Sequence, residues 1–331
     1  MAGVNGSIFR YSAVQMEFGL NNKGWTSIDG SDGVSLCAVS VRTSVRANER
    51  TQVTAVAEMT SQGADHDSSA FRDLVGRMDR GLPVLVTLPR SQYRLRVMAD
   101  PGVPQREMLS SLRWLLSTDS DGPLEDFNLA WMSIPTEEQL PSRPRQLYVV
   151  TTPASGLSAR LAAWRQAGVR PKVVDIRETA LRNLAGALER PGEGLGLVSV
   201  DAEGVSMTFT HQGSLYLDRF IEQPLTELRV ADEAARAQLH ERIALQLLRS
   251  IDVIGRNYPF MPVSRLVMAP APEALGLFEF LSAQLPLTVE PLDLGLVFDL
   301  TRVPELAKSP ALQARCLVPL GAALRSAKAA A

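Results

Sequence analysis

The sequence predicts an α/β protein built as two lobes, and three observations carry that prediction. Short apolar strands around an Asp/Gly-rich turn open near Trp25, and a second series of short strands opens near Leu195. Each series gives way to helices alternating with strands. Between the halves, Pro191-Gly192-Glu193-Gly194 has the composition of a boundary. The expected organisation is therefore a lead-in over residues 1–24, a first lobe over 25–190 and a second lobe over 191–331.

The first half reads element by element. Residues 1–24 are polar and Asn/Gly-rich, ending in Asn21-Asn22-Lys23-Gly24. Trp25 to Ile28 leads into Asp29-Gly30-Ser31-Asp32-Gly33, which is turn chemistry. Val34 to Val41 and Gln52 to Met59 continue a meander. Asp67-Ser68-Ser69 can cap a helix in which Phe71, Leu74, Val75 and Met78 recur at helical spacing, closed by Gly81. Val84 to Leu88 is a buried-strand run. Tyr93, Leu95 and Val97 alternate with Arg94 and Arg96, the pattern of a half-exposed strand. Pro104 suits the first turn of a helix carrying Met108, Leu112, Leu115 and Leu116. Asp119-Ser120-Asp121-Gly122-Pro123 ends it, and a strand follows near Leu129 to Ile134. Residues 135–145, with Pro135, Pro141 and Pro144, form a connection. A βαβ-like run comes next: Leu147 to Thr151, a helix with Leu157, Leu161 and Trp164, then Lys172 to Ile176. A helix through Ala180, Leu181, Leu184, Ala185 and Leu188 closes the half.

The second half restarts with strands at Leu195 to Val200, Val205 to Thr210 and Ser214 to Ile221, with a tight turn at His211-Gln212-Gly213. A long helix from about Asp232 to Arg256 carries Leu239, Ile243, Leu247, Ile251 and Ile254 on one face. Strands at 265–268 and 287–292 flank a helix at 273–285. The tail is helical in composition, interrupted by Pro310 and Pro319.

Composition narrows the function classes. The chain is 45% apolar and 21% charged with a formal net charge of −2, which argues against nucleic-acid binding through a broad basic surface. Cys37 and Cys316 lie far apart in apolar sequence and read as reduced core residues, not as a disulfide framework or metal cluster. No stretch approaches the roughly 18 apolar residues of a membrane span. No long apolar run follows Arg10, so no signal peptide is read and a cytoplasmic place is expected.

Candidate chemistry is sparse. The turn Asp29–Gly33 has the small residues that let backbone N–H groups cradle a phosphate, and a plain hairpin turn has the same composition. Gly192, Gly194 and Gly196 resemble part of a dinucleotide loop but precede a strand instead of following one, so a linker is the expectation. No P-loop, nucleophile elbow or His-Glu-x-x-His motif occurs. His66, His211 and His240 are expected at the surface. Arg90, Arg94 and Arg96 surround one strand; a solvated face and a basic strand pairing with a partner peptide both fit.

Three stretches carry a resemblance to a known family. They are Leu88-Pro89-Arg90-Ser91-Gln92-Tyr93-Arg94-Leu95 with the Val103-Pro104 helix to Leu116, then Val173-Val174-Asp175-Ile176 running into Ala180-Leu181-Arg182-Asn183-Leu184, and Gln246-Leu247-Leu248-Arg249-Ser250-Ile251-Asp252. Their order over residues 25–325 resembles MshI and PilM, the actin-like cytoplasmic proteins of type IV pilus assembly, with the MshI branch of mannose-sensitive (MSHA) pilus systems nearest. The resemblance implies an actin-like, ribonuclease H-like fold with an inserted α+β subdomain over about 84–140. It also implies a scaffold that holds the cytoplasmic tail of a bitopic PilN-like inner-membrane protein, near the pilus motor ATPase. Arg90, Tyr93, Arg94 and Arg96 are the candidate partner residues. A cytoplasmic GspL-type component of type II secretion is the related alternative.

PilM-type proteins bind ATP with Mg²⁺, so the phosphate loops are the test. Gly30, Ser31, Asp32 and Gly33 form the first candidate loop, Asp201 and Gly204 the second. Aligning Gly30-Ser31 with the Gly-Ser of the family's Asp-Ile-Gly-Ser loop puts Ile28 in place of the Asp, and Asp29 is expected on the wrong face of its strand. Counting back from Gly213 puts Ser199 at the second loop's Asp and Asp201 at its Gly. Met268-Ala269-Pro270-Ala271-Pro272 stands where the family has a Gly-Gly turn. The expected protein is a non-catalytic scaffold, with an ATP-binding actin-like protein as the competing reading.

Overall fold

A computed structural model describes residues 24–30, 35–43, 50–60, 68–117, 126–136, 144–223, 227, 229, 232–271 and 276–325. Three sheets organise them. The first has six strands in the order β14-β3-β2-β1-β4-β8, built from β1 (Gly24–Asp29), β2 (Ser35–Arg42), β3 (Thr51–Thr60), β4 (Val84–Thr87), β8 (Val173–Asp175) and β14 (Phe298–Asp299). The meander read from sequence is present: β1 pairs antiparallel with β2, and β2 with β3. Helix α1 (Ser68–Gly76) and helix α3 (Ala154–Gln166) cover one face, where Phe71, Leu74, Leu157, Leu161 and Trp164 pack on Ile28, Leu36 and Val86.

The inserted subdomain is a three-stranded sheet, β5 (Arg94–Ala99), β7 (Gln146–Pro153) and β6 (Phe127–Ile134), with β7 in the centre. Helix α2 (Gln105–Ser117) buries Met108, Leu112 and Leu116 against Leu129, Leu147 and Val149. Its limits differ from the expected 84–140. β4 belongs to the first sheet, parallel to β1 and β8, and β7 pairs antiparallel with β5 and β6 instead of opening a βαβ unit. Leu147 to Val150 is an uninterrupted apolar run covered on both faces. Such a run reads the same in a parallel sheet as in an antiparallel one.

The second lobe holds the sheet β11-β10-β9-β12-β13, from β9 (Gly194–Val200), β10 (Gly204–His211), β11 (Ser214–Glu222), β12 (Val263–Met268) and β13 (Thr288–Pro291). The β10–β11 turn has Gln212 at φ 51° and Gly213 at φ 71°, two left-handed residues as a tight hairpin demands. Helix α5 (Glu233–Asn257) starts where the Asp232 carboxylate accepts from Ala235 N at 2.8 Å, and buries His240, Ile243, Leu247 and Ile254. Helix α6 (Leu277–Gln284) joins it.

Three expectations are corrected here. Gly194 and Gly196 are not linker: they lie in β9, and a Cβ on Gly196 would meet Leu266 Cδ2 at 2.2 Å. His211 and His240 are buried, beside Tyr216 and Phe260 and beside Phe280 respectively; His66 lies outside the described residues. The tail does not stay in the second lobe. β14 pairs parallel with β3, while helix α7 (Pro304–Lys308) and helix α8 (Pro310–Ala323) return to the first sheet. Pro310 opens α8 under a Ser309 cap, and only Pro319 lies inside it. Cys37 and Cys316 are free and buried in the core, and their Sγ atoms lie 2.7 Å apart.

Helix α4 (Arg177–Leu188) and α8 form the middle of the molecule. Ala180, Leu181, Leu184 and Leu188 share one core with Trp25, Val39 and Leu85 of the first sheet, Leu195, Leu197 and Val267 of the second, and Cys316, Leu317 and Leu320 of α8.

Candidate functional site

The ends of β1, β8 and β9 converge on the N-terminus of α4, and polar side chains gather there. At β1, Ile28 packs outward against Phe71 and Leu74, which turns Asp29 to the opposite face. Thr87 Oγ1 of β4 donates to the Asp29 carboxylate. This corrects the expected orientation: Asp29 is on the side of Arg177, whose charge it supports. At β8, Asp175 Oδ1 accepts from Ile176 N at 2.8 Å and from Thr179 Oγ1, tying the first turn of α4.

Arg177 is the centre of the arrangement and is 5% exposed. Its Nη1 pairs with Asp201 Oδ2, its Nε donates to Ser206 Oγ at 3.1 Å, and its Nη2 donates to Ser199 Oγ at 3.1 Å. The guanidinium thus leaves a first-lobe helix and is received by β9, β10 and their turn. Burial works against its charge, but Asp201 and then Asp29 outweigh burial and hold its pKa above the ordinary value. Asp201 Oδ1 is taken by Glu203 N at 2.8 Å and Gly204 N at 3.0 Å. Burial, then Asp201, raises the Glu203 pKa.

These contacts bear on the fit of Mg-ATP. Both oxygens of Asp201 already have partners, and a cation of the chain's own stands beside it. Gly204 is a close-packing residue, because a Cβ there would lie 2.2 Å from Ile221 O. Ala269, in the segment aligned with the Gly-Gly turn, is buried and donates its N–H to Val198 O at 2.8 Å. On the β9 side, therefore, the Asp201 carboxylate is engaged by the chain's own donors. Of the first candidate loop, Gly30 is described; Ser31, Asp32 and Gly33 lie outside the described residues. No cluster of three metal-ligating side chains occurs among the described residues.

A second polar group joins all three sheets. Arg90 lies in a 3-10 turn after β4, where its Nη2 reaches Glu178 Oε1 at 3.0 Å and Asp218 Oδ2 at 4.0 Å, and its guanidinium lies 3.9 Å from the Phe220 ring centroid. Tyr93 Oη donates to Glu178 Oε2 at 2.6 Å. Asp218 N donates to Tyr148 Oη at 3.1 Å, and Thr208 Oγ1 donates to Asp218 Oδ1 at 3.3 Å. Burial, then the Glu178 carboxylate, pushes the Asp218 pKa up to about 7. Burial and Glu178 also raise Tyr93, and burial with Asp218 raises Tyr148.

The four candidate partner residues therefore separate. Tyr93 is buried and Arg90 half-buried, and Glu178 takes a donor from each. Arg94 is exposed and Arg96 half-buried on β5, an edge strand of its sheet. Sequence reasoning missed Arg177, Glu178, Asp218 and Tyr148. One signal was present: the charged pair Arg177-Glu178 opens a helix that is otherwise apolar on several sides.

The chain matches no protein-family model and none of the curated proteins. Solved structures do match. A chain of a PilM–PilN type IV pilus biogenesis complex aligns with a TM-score of 0.69 at 18% identity, covering 92% of this chain and 98% of that one. A Bacteroides thetaiotaomicron protein with an actin-like ATPase fold aligns at a TM-score of 0.46 and 12% identity, over 87% and 96% of the two chains. The cytoplasmic domain of EpsL, an inner-membrane component of the Vibrio cholerae type II secretion system, aligns at 0.47 and 15%, over 82% and 92%. The chain has the actin-like, two-lobed α/β fold with a small inserted subdomain.

Proposed function

We propose that this protein is a non-catalytic scaffold of a type IV pilus assembly platform. It holds the cytoplasmic tail of a bitopic PilN-like inner-membrane protein and sits on the cytoplasmic side through that partner, near the pilus motor ATPase. The finer assignment is an MshI-like protein of an MSHA-type pilus. The observation that supports the non-catalytic part is Arg177: beside Asp29 and Asp201 stands a buried cation of the chain's own, each of whose three nitrogens has a partner. The similarity to a PilM–PilN complex chain supports the partner class. No helix among the described residues is long and apolar enough to cross a membrane, which agrees with attachment through a partner.

In this reading the tail lies against the inserted subdomain, where β5 is an edge strand among the described residues and Arg94 is exposed. Co-expression with the cytoplasmic tail of a PilN-like protein should give a co-purifying complex, weakened by Arg94→Glu. Failure of the wild-type pair to co-purify would refute the proposal.

A second reading, a weak ATP-binding actin-like protein of pilus assembly or a GspL-like secretion component, is favoured by one observation: Asp29 faces the Arg177 centre after all. Calorimetric titration with Mg-ATP separates the readings. The scaffold reading expects no binding heat; saturable binding at micromolar nucleotide would establish the other.

A further inference from the structure

The two cysteines, 279 positions apart, come together in the core between β2 and α8. Cys37 is 4% exposed and Cys316 is 0% exposed, and their sulfurs stand 2.7 Å apart. That is closer than two unbonded sulfur atoms rest, and a bonded pair stands at about 2.0 Å. Both are free thiols in this structure, and the sequence contains no other cysteine. Cys37 shares its face of β2 with Val39 and Val41, and α8 lies directly across that face.

We propose that Cys37 and Cys316 are a thiol–disulfide site, oxidised by a low-molecular-weight disulfide to a bond that fastens α8 to the first sheet. One cysteine thiolate attacks a sulfur of the small disulfide and expels one thiolate, leaving a mixed disulfide on the protein. The second cysteine attacks the protein-side sulfur and expels the other thiolate. Two protein thiols are oxidised, the small disulfide is reduced to two thiols, and the protons pass to the released thiolates. The pocket between β2 and α8 has no room for the mixed disulfide, so exchange takes place before α8 docks. The hydrogen bond from Cys316, with burial, holds the Cys37 thiol well above its ordinary pKa, which slows attack in the folded chain. The same burial shields the finished bond from reductants. A loop of this length is where a cross-link restricts the unfolded chain most.

The test refolds the denatured, reduced full chain in a buffer of glutathione and glutathione disulfide, and in parallel in dithiothreitol. Both samples are then alkylated in denaturant and weighed by intact mass spectrometry. The redox-buffer sample should be a monomer without alkylation, lighter by two hydrogens. Its Tm should exceed that of the dithiothreitol sample by about 5 °C. The bond should resist dithiothreitol in the native protein and yield in urea. Two alkylated cysteines after redox refolding, a glutathione adduct, a covalent dimer, or rapid reduction of the native bond would each overturn the proposal. Cys316→Ser should show one alkylatable thiol and equal Tm in both media; an unchanged Tm difference in that variant would also overturn it. If Cys316→Ser does not fold, the wild-type mass decides.

Discussion

Arg177 shows what one side chain can settle. Its three nitrogens serve Asp201, Ser199 and Ser206, so its loss leaves one Asp201 oxygen and two buried hydroxyls without that partner. Breaking a fully buried pair costs about 3–5 kcal/mol. Asp201 keeps partial solvent access at 24%, which places Arg177→Gln near the lower end, about 3 kcal/mol. Urea denaturation should show that loss as a lower midpoint at unchanged slope. Asp218 makes a prediction of opposite character. Its folded pKa is raised, so the folded state holds a proton that the unfolded state has released between about pH 4 and pH 7. Stability therefore falls as pH rises through that window and levels off above it. Asp218→Asn should flatten this dependence and match or exceed wild-type stability at pH 8; a wild-type stability that rises steadily from pH 5 to pH 8 would contradict it. Little of this was legible in the sequence. A charged residue near an apolar run reads as surface unless the element that receives it is known, and the contacts of Arg90 and Tyr93 with Glu178 leave no trace in the local sequence for that reason.

Elements were more legible than residues, because periodicity reports local structure and burial together. The strands of the meander, the stripe of α5 and the hairpin at Gln212-Gly213 stand where the pattern placed them. The misplacements have one cause. The middle of β7 (147–150) and the second half of α8 (316–323) are apolar throughout, and such stretches lack the polar face that would tell which neighbour they pack on. In α8 this leaves Gly321 in contact with α4: a Cβ would lie 2.2 Å from Ala180 O and 3.4 Å from Leu184 Cβ. Neither backbone can retreat easily, since α4 is also held by both sheets. Gly321→Ala should cost about 1–3 kcal/mol, read from urea midpoints, although alanine is the better helix former. A neutral or stabilising result would show that α8 sits less tightly than its core contacts indicate.

At the scale of the molecule, the two-lobed plan and the family resemblance followed from segment order, whereas the assignment of residues to lobes did not. The first lobe is discontinuous: its sheet takes strands from 24–60, 84–87, 173–175 and 298–299. Pairing of that last strand depends on contacts more than two hundred residues apart, which leave no local trace. The joint at Arg90, Glu178, Tyr93, Tyr148 and Asp218 then ties the insert to both lobes, so the three sheets should unfold together. Calorimetry should give a single transition, and a chain truncated after Pro291 should lose it while exposing the cysteine side of β2 to labelling.

The return of the chain to its first sheet also has a consequence for synthesis. Trp25 Nε1 donates to Arg325 O at 3.2 Å, so the start and finish of the described fold are neighbours. A ribosome emits the strands around Trp25 nearly three hundred residues before the helix that covers them. The stretch from Gly194 to Pro291 is contiguous and can close as soon as it emerges. The part of the chain made first is therefore completed last, and in that interval the naked face of β2 is what a chaperone would meet.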